Sequence, residues 1–202
     1  MHDDDQTMAI GLLAYFALFF ASAFFWPTWR LWRRYGTRAL VVPRDDSAEG
    51  VVGRWFRATL FAIPAMLVPP AAGLPLEALG RLSWLEDGSL RLMGWILLVV
   101  SLLWVIGAQA QMGGSWRIGI DSTAQPPLVK TGLFALSRNP IFLGMRLALL
   151  ALLLALPIGA ALAIFVLGEA LIQIQVRLEE AHLGKTLGTQ YDTYRDGTRR
   201  WL

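Results

Sequence analysis

The chain contains no cysteine, which excludes disulfide staples, thiolate nucleophiles and sulfur-ligated metals together. Histidine is nearly absent too: His2 and His182 are the whole supply, too few for a histidine-based metal cluster. Charged residues make up 16% of the 202 positions. No G-x-G-x-x-G occurs, so a soluble dinucleotide-binding domain is excluded. G-x-S-x-G and H-E-x-x-H are also missing, which removes the familiar hydrolase and zinc-protease arrangements. There is no internal repeat and no low-complexity tract, and the nearest thing to a linker is PRDDSAEG (43–50), read as a short surface loop. The N-terminal MHDDDQT is acidic where a secretory leader is basic, so the first apolar run reads as a retained helix and Asp3, Asp4 and Asp5 as a translocated tail.

What the chain has in abundance is apolar sequence: 55% of it, with a mean hydropathy of +0.49. About 20 apolar residues carry a helix across a bilayer. Five segments meet or approach that length, at 8–26, 58–76, 92–111, 141–156 and 158–176. The second contains Pro64, Pro69, Pro70 and Pro75, so its outer half is expected to be kinked or unwound. The last two are separated by Pro157 and Gly159, the signature of a tight helical hairpin. Trp26, Trp29 and Trp32 interleave with Arg30, Arg33 and Arg34, an aromatic belt merging into a basic flank.

Charge then orients these spans. Residues 30–57 carry seven Lys/Arg, 112–140 carry three and 177–202 carry five, against none in 1–7 and two in 76–91. The positive-inside bias places the N-terminus outside and the C-terminus in the cytoplasm. The expected fold class is all-α, a polytopic membrane protein of about five transmembrane helices forming a single domain over 1–202. The net charge of +3 is explained by topology, and no nucleic-acid partner is expected.

The polar residues cluster around the last hairpin. Arg146 and Glu169 are equidistant from a turn at Pro157/Ile158, which sets them level inside the membrane and predicts that they meet directly or through one polar group. Charges at that depth are paired or line a watery cavity. Glu169, Gln173, Arg177 and Glu180 form one stripe, and Asn139, Phe142 and Arg146 share a face of the preceding helix. Two facing stripes predict a cleft open to the cytoplasm. A structural ion pair with a solvated helix end is the plainer alternative. His182, the tryptophans, Trp116 and Arg117 among them, and the pair Tyr191 and Tyr194 can each be ordinary surface or interfacial residues.

Three motifs carry a resemblance. GLFALSRNPIF (132–142), RLEEAHL (177–183) and LGTQYDTY (187–194) resemble the hallmark of the integral-membrane isoprenylcysteine carboxyl methyltransferase and phospholipid methyltransferase group, and SWRIG (115–119) is similar to a segment of bacterial members. Asn139 stands where eukaryotic carboxyl methyltransferases have His, and Phe142 where Tyr is frequent; both variants resemble bacterial members. The resemblance covers roughly residues 92–202. It implies an S-adenosylmethionine-dependent methyltransferase in a bacterial cytoplasmic membrane, its active site facing the cytoplasm, with membrane lipids around it and a lipophilic acceptor taken from the bilayer. It implies cofactor contacts from Gly132, Leu133, Phe134, Arg138, Asn139, Pro140, Phe142, Arg177, Glu179, Glu180, Tyr191 and Tyr194, with Arg195 an alternative to Arg177. Arg146 and Glu169 are the candidates for the acceptor's reacting end, and no metal is expected. The rival readings are an NAD(P)H-dependent membrane reductase of the sterol-reductase type and a non-catalytic membrane partner protein.

Overall fold

The computed structural model describes residues 2–36, 45–113 and 127–202. The SWRIG segment, with Trp116 and Arg117, lies outside the described residues. Helices α1 (His2–Phe20) and α2 (Trp26–Tyr35) are joined by a π-helical turn over Ala21–Phe25 and run as one rod. They are followed by α3 (Ala48–Ala71), α4 (Gly88–Met112), the single turn α5 (Leu133–Leu136), α6 (Pro140–Ala155), α7 (Gly159–Leu187) and α8 (Thr189–Gly197). Among the described residues the one β-type pairing is an isolated antiparallel bridge between Arg81 and Ile158. The all-α membrane fold expected from the sequence is the fold observed.

Local chemistry explains the helix boundaries. Ser47 caps α3 by accepting from the Gly50 amide at 3.1 Å, and the Asp87 carboxylate caps α4 by accepting from the Ser89 and Leu90 amides. Pro140 opens α6 at a position where a missing N–H costs nothing. The π-helical turn has a specific cause. Pro27 has no N–H to give the Ala23 carbonyl one turn back, and the Gln109 side chain of α4 donates to that carbonyl instead, at 2.5 Å.

Four helices are long and apolar enough to cross a membrane: the rod Asp4–Arg34, α3, α4 and α7. α6 is shorter, at 16 residues or about 24 Å of rise, below the roughly 30 Å of hydrocarbon. It is also the most enclosed element. Ten of its residues are buried against six of the 25 in α4, because α6 packs between α4 and α7. Gly94 and Gly144 allow the close approach of α4 and α6: a Cβ at Gly144 would sit 2.4 Å from Val105 Cγ2, and one at Gly94 2.7 Å from the Ala155 nitrogen. α7 packs in turn on α3, and α3 on α1. The Tyr15 hydroxyl closes the ring by meeting the Leu98 carbonyl and the Ser101 hydroxyl of α4, both at 2.8 Å.

Two expectations need correction. α3 begins at Ala48, ten residues before the apolar window, and stays helical through Pro64, Pro69 and Pro70. The chain leaves the helix at Ala72, whose amide reaches back to the Val68 carbonyl at 3.0 Å, and Pro75 precedes a short 3-10 turn. The acidic N-terminus is also more than a tail. Asp5 is buried and pairs with Arg81 at 3.1 Å, and Gln6 donates to the Ala71 carbonyl at 3.1 Å.

These contacts sort the loops into two ends of the bundle. One holds the N-terminus, the loop at 72–87 and the hairpin turn, which are joined by Leu82 N–H to Pro157 O at 2.9 Å and Gly159 N–H to Gly80 O at 2.6 Å. The other holds α5, the start of α6, the end of α7, α8 and the C-terminal residues. This is the grouping that the charge count predicts.

Candidate functional site

The site is built at the second end, from the junction leading into α6. Gly132 adopts φ +63, a left-handed backbone conformation that favours glycine, with the end of the Gln111 side chain packed against it. Gln111 Oε1 accepts the Leu133 amide at 2.8 Å, tying the junction to the end of α4. The buried Phe134 gives its carbonyl to the Tyr194 hydroxyl at 2.6 Å, which fixes α8 against α5. The Pro140 carbonyl accepts from Trp104 Nε1 at 2.9 Å. The first two contacts satisfy backbone groups that the ends of α5 leave open, and Trp104 is a further donor to a carbonyl in the first turn of α6.

Glu180 is the centre of this end. Its side chain is 9% exposed and accepts from Arg138, from Asn139 Nδ2 at 2.9 Å and from Arg200 Nη2 at 2.8 Å. Arg138 also donates through Nη1 to the carbonyls of Arg195 at 2.9 Å and Thr198 at 2.5 Å, while its amide meets the Arg199 carbonyl at 2.9 Å. Ser137, fully buried, donates to the Arg200 carbonyl at 3.0 Å. The SRNP and EE motifs therefore meet, as their sequence placement predicts. What joins them is the C-terminal tail. The Glu180 carboxylate raises the pKa of the Arg200 guanidinium it holds.

A second polar group lies deeper. Arg146 Nε donates to Glu169 Oε2 at 2.7 Å, the level pair that the hairpin arithmetic predicts. Gln173 Nε2 donates to the other Glu169 oxygen at 2.8 Å, and Arg177 Nη1 donates to Gln173 Oε1 at 2.8 Å. The stripe on α7 is thus two arrangements: a relay from Arg177 to Glu169, and Glu180 turned into the hub. Trp201 lies against the Arg146 guanidinium, with Cζ 4.3 Å from the ring centroid, a cation–π contact. The cleft expected between the two polar stripes is instead bridged by direct bonds and by the tail.

The remaining candidates separate into engaged and open groups. Phe142 packs against the main apolar core and does not stand free beside the hub. Tyr191 and Tyr194 meet edge to face at 6.3 Å, and burial pushes both phenols up to about 12. The Tyr191 hydroxyl is buried with no hydrogen-bond partner. Glu179, half-buried beside Glu180, makes no hydrogen bond or ion pair with a described residue. Sequence reasoning missed Arg200 and Trp201. A terminal RRWL is a faint signal, because no periodicity links a tail to a helix twenty residues upstream.

An apolar cavity among the described residues is lined in part by chain neighbours of Arg146 and Glu169. It is a small apolar cleft between α1, α3, α6 and α7, walled by Phe16, Phe56, Met145, Leu149 and Ile172 among others. Its polar lining residue, Thr59, is spent on the Trp55 carbonyl at 2.9 Å.

Comparison with known proteins gives one result. The family model described as phospholipid methyltransferase matches residues 89–190, half of the chain. No curated protein matches. The matched stretch runs from the start of α4 to the start of α8, so it contains the Glu180 hub and the Arg146–Glu169 pair. Tyr191, Tyr194, Arg200, Trp201 and the walls that α1 and α3 give the cleft lie outside it.

Proposed function

The chain belongs to the phospholipid methyltransferase family, and we propose that it is an S-adenosylmethionine-dependent enzyme that methylates a lipophilic acceptor at the cytoplasmic face of a bacterial inner membrane. Family membership makes it a methyltransferase of the membrane-lipid type, and its apolar helices make it an integral membrane protein. The finer reading rests above all on the Glu180 hub, where two of the motifs and the C-terminal tail converge on one buried carboxylate.

The residues at this end suit the cofactor, though in a different division of labour from the one the motifs suggest. The Glu180 oxygens and the Arg138 donors are already engaged, so their role is to hold the pocket's walls. Glu179 and the buried Tyr191 hydroxyl are open, an acceptor and a donor that match ribose hydroxyls or an ammonium. Backbone groups of Gly132, Leu133 and Phe134, the Asn139 and Pro140 corner, and a guanidinium at Arg177 or Arg195 are the further candidates at this end of the bundle. The bound cofactor supplies an electrophilic methyl on a sulfonium. The protein's task is then alignment in a dry site, which needs no acid–base pair at the reacting atoms. Arg146 and Glu169, deeper in the bundle, orient the acceptor.

Calorimetry of the detergent-purified protein with S-adenosylmethionine, S-adenosylhomocysteine, NADPH and NADH tests this reading. Saturable binding of the first two is expected. Binding of NADPH alone would transfer the chain to the membrane-reductase reading, and no nucleotide binding would leave a non-catalytic partner protein. Orientation is tested separately in this cysteine-free chain by single cysteines at Ser89 and Thr198. Ser89→Cys is expected to label from outside and Thr198→Cys only after permeabilisation; the reverse pattern overturns the cytoplasmic placement.

A further inference from the structure

The rod that begins the chain is longer than a bilayer requires. Asp4–Arg34 has 31 residues, about 46 Å of rise against roughly 30 Å of hydrocarbon. Counted from Met8, where the apolar run opens, about 20 residues bring the helix to the far interface near Pro27. The last turns of α2 therefore stand at head-group level. They stand at the end of the bundle that holds the Glu180 hub, because the buried Leu31 packs on Met112 at the end of α4 and Ile141 at the start of α6.

The face of α2 opposite Leu31 carries Trp26, Trp29, Arg30 and Arg33, at i, i+3, i+4 and i+7. All four side chains are exposed. The two indoles lie 5.1 Å apart between centroids, and Arg33 Cζ lies 5.2 Å from the Trp29 ring centroid. Neither guanidinium makes a hydrogen bond or an ion pair with a described residue, and neither indole N–H donates to one. Arginines elsewhere differ: Arg54 pairs with Asp46, Arg138 and Arg200 with Glu180, and Arg195 with Asp192.

Helix α2 contains no Asp or Glu. Two open guanidinium forks beside two indole donors thus offer positive charge and N–H groups with no acceptor among them. That composition matches phosphate oxygens at head-group depth. A head of net negative charge suits it better than a zwitterionic one, whose ammonium would meet like charge with no carboxylate to receive it. Arg33 already lies over the Trp29 ring that could otherwise attract such an ammonium.

We propose that Trp26, Trp29, Arg30 and Arg33 form a binding site for the phosphate head of an anionic bilayer phospholipid, at the same end of the bundle as the Glu180 hub and separate from it. The indoles fix the depth of the helix at the interface, and the Trp29 ring steadies the Arg33 fork. The lipid here is a resident and not the methyl acceptor, so the site stands whether or not the methyltransferase reading does.

The full-length protein in neutral detergent is titrated with dioctanoyl phosphatidylglycerol, dioctanoyl phosphatidylcholine and inorganic phosphate, with thermal stability followed in parallel. The wild type is expected to prefer the anionic lipid over the zwitterionic one by about tenfold or more, the scale of two arginines at a charged surface. That preference should fall steeply as salt is raised, because the groups are exposed. Arg30→Gln with Arg33→Gln should bind both lipids alike. Arg54→Gln with Arg57→Gln removes the same number of arginines from the start of α3 and should keep the preference. Trp29→Leu should weaken it by roughly two- to fivefold, and Trp29→Phe should retain most of it. Equal binding of the two lipids by the wild type, or an undiminished preference in the folded Arg30/Arg33 variant, overturns the proposal. An equal loss in the Arg54/Arg57 variant overturns it too, by showing diffuse surface charge in place of a site. Inorganic phosphate that displaces the lipid at equal concentration would show a free-anion site and overturn the assignment to lipid.

Discussion

The two ends of the bundle are each organised around one charged residue, of opposite sign and in different ways. At the end holding the N-terminus, Arg81 gathers Asp5 at 3.1 Å, Glu77 at 3.2 Å and Glu86 at 2.5 Å. Two of those partners lie on its own loop, and Glu77 is 62% exposed. At the other end, Glu180 gathers Arg138, Asn139 and Arg200, which come from 42, 41 and 20 residues away, and it is 9% exposed. The first hub closes a local loop over the hairpin turn. The second is where the α5–α6 junction, α7 and the tail become one object. Burial and sequence distance together make the second the costlier to break, since water cannot replace what is lost there.

The contrast can be broken or sharpened by substitution, measured as unfolding in detergent. Glu180→Ala leaves two guanidinium groups facing each other without their carboxylate, and should destabilise by about 3–5 kcal/mol. A loss below about 1 kcal/mol there, within reach of a surface pair, would mean the hub is not what holds the tail. Tyr194→Phe removes the 2.6 Å bond to the Phe134 carbonyl and should cost about 1–2 kcal/mol. Tyr191→Phe is the informative control, because it deletes a buried hydroxyl that has no partner. Stability should hold or rise by up to about 1 kcal/mol. S-adenosylmethionine binding should nonetheless weaken in this variant, and unchanged affinity would remove Tyr191 from the pocket. At the opposite end Glu77→Gln should change stability by less than about 0.5 kcal/mol, since an exposed pair is solvated whether or not it forms. A larger loss would show that the Arg81 cluster is as cooperative as the Glu180 one.

Some features were legible from residues alone because their causes are local or are set by the bilayer. Apolar run length marked the apolar helices, four of them long enough to cross a membrane, and Pro157 with Gly159 placed the hairpin. Equal distance from that turn placed Arg146 opposite Glu169, since both helices rise by the same amount per residue. The meeting of the SRNP and EE motifs followed from the same geometry. The length of α3 did not follow. Hydropathy marks where a helix enters apolar surroundings, whereas α3 starts earlier, at a Ser47 cap in a polar stretch. Its prolines were also misleading. Pro69 and Pro70 fall in the last turn of the helix, which ends at Ala71.

By itself the sequence determined an all-helical membrane chain, its two unequally charged ends, its closing hairpin and the family to which its second half belongs. Each of these depends on composition, period or spacing along one segment. Only the tertiary structure decided that α6 is enclosed between α4 and α7, that Gln109 serves the carbonyl Pro27 leaves open, and that Arg200 and Trp201 fold back onto Glu180 and Arg146. Those outcomes join residues 20 to 86 positions apart, as in Glu180–Arg200 and Gln109–Ala23. Such pairings are fixed by which buried polar groups must find partners once the helices have packed, a condition that no single segment's pattern records.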